Sequence, residues 1–137
     1  MKKKEQNFIE QNGINVIKPK DLTYPTSIHK VRKKLPTIYH MGQLFDYDNG
    51  IAVVGTRRNS ENGQLFAQNI GKLLSENNYK VVSGLATGID TFAHSGCLEN
   101  NGLAIAILAW FHELSPKPNK ELLEKIVETG CALSENV

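Results

Sequence analysis

At 137 residues, 40% of them apolar and 22% charged, the chain has the length and composition of one globular domain with its own core. No apolar run approaches the roughly 20 residues of a membrane helix, and Met1-Lys2-Lys3-Lys4 leads into polar residues rather than a signal h-region. Cys97 and Cys131 make neither a disulfide framework nor a metal site, which points to buried thiols in a reducing, cytoplasmic setting. Net charge is +2, unevenly divided: eleven Lys/Arg against five Asp/Glu give +6 over residues 1–58, and five against nine give −4 over 59–137. A basic front half suits a polyanion partner, and it equally suits lysines that keep loops solvated.

In chain order, the first dozen residues are polar and read as a frayed segment or the end of a short helix. Ile14-Asn15-Val16-Ile17 is a strand candidate closed by Pro19, and Tyr24-Pro25 marks a turn. Ile28, Val31 and Leu35 recur among basic residues at near-helical spacing up to Pro36, and residues 37–41 read as extended. Ile51-Ala52-Val53-Val54 is a continuous apolar, β-branched run, the pattern of a strand buried on both faces of a parallel sheet. Ser60 suits the cap of a helix whose apolar stripe comprises Leu65, Phe66, Ile70, Leu73 and Leu74. Lys80-Val81-Val82-Ser83 predicts a strand, residues 89–99 a helix and Ala104–Leu108 a strand. Pro118 opens a helix closed by Gly130, and Cys131–Ser134 predicts a last strand.

Such alternation predicts an α/β fold: a Rossmann-like three-layer sandwich with a mostly parallel sheet and right-handed crossovers. The expected division is an N-terminal extension over residues 1–48, packing on the domain, and a Rossmann-like domain over 49–137 that is incomplete at its carboxyl end. Ligands of such sheets bind beyond the carboxyl ends of the strands.

Three loops fall there. In the first, Gly55 allows close approach to backbone, Thr56 carries a hydroxyl, and Arg57 offers a planar fork suited to phosphate. The second, Ser83-Gly84-Leu85-Ala86-Thr87-Gly88, again combines two glycines with two hydroxyls. It lacks both G-x-G-x-x-G and the G-K-[ST] ending of a Walker loop. Side by side, two such loops make one anion pocket from Gly55, Thr56, Arg57, Ser83, Gly84, Thr87 and Gly88. Asp90 and His94 share a helix face and read either as an oriented base or, preferably, as scaffold, with His94 hydrogen-bonded inside the fold. In the third loop, Trp110 and Phe111 stand near Lys117 and Lys120. The aromatics suit a packed lid or a stacking surface for bases, and the lysines suit phosphates.

Gly55-Thr56-Arg57 with Gly63, followed by Ser83-Gly84-Leu85-Ala86-Thr87-Gly88-Ile89-Asp90 with His94, resembles the DNA-processing protein A family (DprA, also called Smf). Its pattern is roughly G-[ST]-R-x-x-[ST]-x-x-G and then S-G-x-A-x-G-I-D-x-x-A-H. Tyr24-Pro25, Leu35-Pro36, Pro116-x-x-Asn119 and Gly130-Cys131-Ala132-Leu133-Ser134-Glu135 extend the likeness from about residue 13 onward. The resemblance implies a cytoplasmic, non-enzymatic protein that binds single-stranded DNA during natural transformation and hands it to the RecA recombinase. By position it implies phosphate contacts from Gly55, Thr56, Arg57, Ser83, Gly84 and Gly88, with Lys117 added. It implies no cofactor and no membrane partner, and it raises a homodimer as an expectation. The sequence departs from the family at Ala109-Trp110-Phe111, where a G-x-G turn is usual, and at Ser115, where a tyrosine is usual. The bulky third loop also keeps open a nucleotide- or phosphosugar-binding sensor on the same scaffold.

Overall fold

Strand and helix alternate along the computed structural model, which describes residues 3–44, 46, 48–112 and 117–137, the side chains of Lys117 and Pro118 excepted. The elements are α1 (Lys3–Gln11), β1 (Asn15–Ile17), α2 (Thr26–Val31), β2 (Ile38–Gly42), β3 (Gly50–Ala52), α3 (Glu61–Glu76), β4 (Lys80–Ser83), α4 (Ile89–Glu99), β5 (Ala104–Ile107), α5 (Lys117–Thr129) and β6 (Cys131–Ser134). Six strands form one sheet in the order β1-β2-β6-β5-β4-β3. β3, β4, β5 and β6 pair in parallel, whereas β2 runs antiparallel to both β6 and β1. The architecture is Rossmann-like α/β.

From β3 to β6 each crossover moves one place in the same direction. Right-handed crossovers therefore carry α3, α4 and α5 to one face of the sheet. Side-chain alternation follows that layering. Val81, Ala104, Ala106 and Ala132 face a core shared with Ala93 and Cys97 of α4 and Leu123 and Ile126 of α5. The intervening Ile105, Cys131 and Leu133 face a second cluster with Ile17, Tyr24 and Ile38, against which Ile28 and Leu35 pack. Burying Leu123 and Ile126 stabilises α5 on the sheet by about 1.5–3 kcal/mol each.

Two expectations change, and one open alternative is decided. The run Ile51–Val54 is not a strand buried on both faces: β3 lies at the sheet edge, with Ile51 39% and Val54 72% exposed. The Leu65, Phe66 and Leu73 stripe of α3 is also exposed, and the helix buries Ala67, Gly71 and Ser75 instead. The cause is backbone proximity to α4. A Cβ on Gly71 would lie 2.1 Å from the Ala93 carbonyl oxygen, and one on Gly96 would lie 2.0 Å from that of Gln68, so only small residues fit between the helices. The polar amino terminus forms the helix α1, held by buried Ile9 and by Phe8 against the larger cluster.

Cys97 and Cys131 are buried free thiols, which burial pushes up to about 11 and about 12 respectively. Among the described residues, no helix is long and apolar enough to cross a membrane.

Candidate nucleic-acid interface

The loops that leave β3 and β4 interlock at Gly88. Its φ of +87° and ψ of −134° lie in a region open essentially to glycine. A Cβ there would fall 2.2 Å from the Thr56 carbonyl oxygen and 2.8 Å from the Arg57 backbone. The next residue fastens the contact, because the Ile89 amide donates to the Thr56 carbonyl at 3.1 Å. Gly55 packs in the same way under the Ile89 side chain, where a Cβ would meet Cγ1 at 2.7 Å. The two glycine loops are therefore one surface.

Hydrogen bonds within each loop give it a fixed shape. The Thr56 hydroxyl accepts from the Arg58 amide at 3.1 Å, closing a tight turn. Ser60 caps α3 by accepting from the Gly63 amide at 3.1 Å. The Ser83 hydroxyl donates to the Val53 carbonyl at 2.5 Å, which ties the end of β4 to the residue directly after β3. Asp90 accepts from the Gly84 amide at 3.0 Å. Leu85 has a φ of 57°, a left-handed conformation that costs a bulky residue about 1–2 kcal/mol. Buried Asn119, in the first turn of α5, offsets that cost by donating its amide to the Leu85 carbonyl at 2.6 Å. Thr91 donates to the Ala86 carbonyl at 2.7 Å. No side chain caps α4, and the Ile89 amide at its start is taken by the Thr56 carbonyl.

Gly55, Thr56, Arg57, Arg58 and Thr87 are exposed along this edge, and Gly84 is half-buried. Neither Arg57 nor Arg58 has an ion pair among the described residues, where the two pairs are Lys30–Asp48 and Arg32–Glu135. Two clefts lie away from these loops: one of about 420 Å³ at the opposite sheet edge around Asn78 and Asn101, and one of about 400 Å³ between α1 and α5.

Sequence-predicted residues divide as follows. Gly55, Thr56, Arg57, Gly84 and Thr87 come together on one edge, and Ser83 and Gly88 lie buried beneath it. The side chain of Lys117 lies outside the described residues. The third loop splits: Phe111 is buried in the larger core, whereas Trp110 is 41% exposed and meets His112 edge-on at 5.5 Å. His94 is fully buried, as a scaffold residue should be; it faces the Ser83 backbone, but neither ring nitrogen reaches good hydrogen-bond geometry with a described residue. Burial lowers its pKa from 6.5 to about 4, against a weaker opposing pull from Asp90, so it is neutral near pH 7. Asn119 is the residue that sequence reasoning left out of the site. Its signal was present in Pro116-x-x-Asn119, but nothing local to it indicates a partner 34 positions away.

A mostly parallel sheet with two interlocked glycine loops at its carboxyl edge defines a Rossmann-like α/β protein. Residues 15–137 match the family described as DNA recombination-mediator protein A, and the chain belongs to that family. It is 34% identical over 132 residues to Protein Smf of Synechocystis, covering 92% of this chain and 33% of the relative. Its fold matches the X-ray structure of DNA processing protein A from Streptococcus pneumoniae with a TM-score of 0.77 and 28% identity, covering 98% of this chain and 48% of that one. It also matches the Helicobacter pylori DNA processing protein A, described for its single-stranded DNA binding mode, with a TM-score of 0.69 and 22% identity over 89% of this chain and 55% of that one. The chain thus spans about a third to a half of these relatives.

Proposed function

We propose that this chain binds single-stranded DNA, taking its phosphates on the joined glycine loops with Arg57 as the principal cation. The observation that carries the reading is the Gly88–Thr56 interlock, which leaves Arg57 and Thr87 exposed on the same rim. Family membership supports it, and so does the single-stranded DNA binding described for the Helicobacter pylori relative. An exposed arginine with no described ion pair loses little on engaging a phosphate, because no internal partner has to be given up. His94 is buried, neutral and remote from solvent, which favours a binding module over an acid–base enzyme. The corresponding biological role is DNA processing during natural transformation, with transfer of the strand to a RecA recombinase and self-association as further parts of the proposal.

Titration of labelled single-stranded DNA at two salt concentrations tests this. Affinity should fall as salt rises and fall again in Arg57→Ala. Salt-independent binding, or an unaffected Arg57→Ala variant, refutes it. A thermal-shift panel of nucleotides separates the small-ligand reading, which requires stabilisation by one of them.

A further inference from the structure

We infer that the bound strand runs beyond the glycine loops along the carboxyl edge of the sheet, past Trp110, to a second cationic seat at Lys33 and Lys34. The inference rests on the single-stranded DNA reading above and extends its site to a region that the motif residues do not touch. Its basis is topological. β2 runs antiparallel to β6 and pairs Tyr39 with Ser134, the last residue of β6. The segment leading into β2 therefore lies over the same edge from which the loops after β3, β4 and β5 emerge.

Two contacts hold that segment in place. Arg32 pairs with Glu135, the residue directly after β6, and the Tyr24 hydroxyl donates to the Pro36 carbonyl at 2.9 Å. Arg32 is thereby neutralised by the one acid nearest to it. Lys33 and Lys34 remain exposed, with no ion pair among the described residues.

Trp110 stands between the two ends. Its ring is exposed, but its backbone is anchored: the preceding Ala109 carbonyl accepts from the Ser134 hydroxyl at 3.0 Å and from the Asn136 side-chain amide at 3.2 Å. A fixed, exposed aromatic stacks on an unpaired base and not on one inside a duplex. From β3 to β2 the edge spans four strand intervals, about 19 Å. A single nucleotide cannot bridge Arg57 and Lys33, whereas a strand of several nucleotides can. Cation, aromatic and cation in a row match phosphate, base and phosphate along one strand.

Trp110 is the sole tryptophan, so its fluorescence reports on the middle of the path. The experiment titrates a dinucleotide and an octanucleotide of thymidine at two salt concentrations, using the full chain and the double variant Lys33→Ala/Lys34→Ala. The wild-type chain should bind the octanucleotide more tightly and quench Trp110 as it does. The double variant should bind the octanucleotide about tenfold more weakly, with a salt slope shallower by about 1.4 for two lost phosphates, and keep its dinucleotide affinity. Octanucleotide binding that is unchanged in the double variant, or that leaves Trp110 unquenched, overturns the extended path while the glycine-loop site stands. If neither oligonucleotide binds, or if Arg57→Ala alters neither affinity, the underlying reading fails and this inference fails with it.

Discussion

Gly88→Ala puts the loop interlock under direct strain. The added methyl would sit 2.2 Å from the Thr56 carbonyl oxygen, well inside contact distance, and the alanine would have to hold a φ of +87°. This Gly-only backbone conformation costs about 1–3 kcal/mol in an alanine, and the overlap about 1–3 kcal/mol if the loops part to relieve it. Parting also breaks the hydrogen bond from the Ile89 amide to Thr56, worth about 1 kcal/mol. The sum is about 3–7 kcal/mol, which at a urea m-value of about 2 kcal/mol/M lowers the unfolding midpoint by about 1.5–3.5 M. Gly63→Ala is the matched control. Its nearest contact would be the Ser60 hydroxyl at 3.3 Å, so its midpoint should change little. A Gly88→Ala variant that unfolds with the control would refute the interlock.

Asn119→Asp keeps the shape of the side chain but removes the donor to the Leu85 carbonyl. It should cost about 1–3 kcal/mol and speed hydrogen exchange at residues 85–88, an effect absent from α3. His94 gives a pH signature. Its folded pKa, about 4, lies below its ordinary 6.5, so the unfolded chain takes up the proton first. The contribution of neutral His94 is full above about pH 6.5, is lost as the pH falls toward 4, and is down by about 2 kcal/mol at pH 5. Chemical denaturation across that range should show the decline, and His94→Leu should flatten it. Arg57→Lys keeps the charge but loses the bidentate fork, so single-stranded DNA affinity should fall several-fold with its salt slope preserved.

The loops were legible because their chemistry is local: glycines at strand ends, a serine cap and a hydroxyl beside arginine. So were β4 to β6 and their helices, whose apolar periodicity and boundary residues agree. The edge position of β3 was not legible, since Ile51–Val54 carries the same apolar pattern whether it is central or at an edge, and only the order of pairing distinguishes the two. The inward face of α3 was misread for a related reason. Leu65, Phe66 and Leu73 dominate any hydrophobic pattern, yet the approach of α4 at Gly96 leaves room only for Ala67, Gly71 and Ser75. The antiparallel seating of β2 against β6 joins residues far apart in the chain, as does the hold of Asn119 on Leu85. Neither leaves a periodic trace.

Backbone amide chemical shifts test the central claim most directly, because they report each loop separately. Adding an oligothymidylate should move the amides of Thr56, Arg57, Thr87 and Gly88 along one binding curve with a common midpoint. Asn78 and Asn101, at the opposite edge, should stay still. Shifts confined to one loop, or two loops that titrate with different midpoints, would contradict a single phosphate site shared between them.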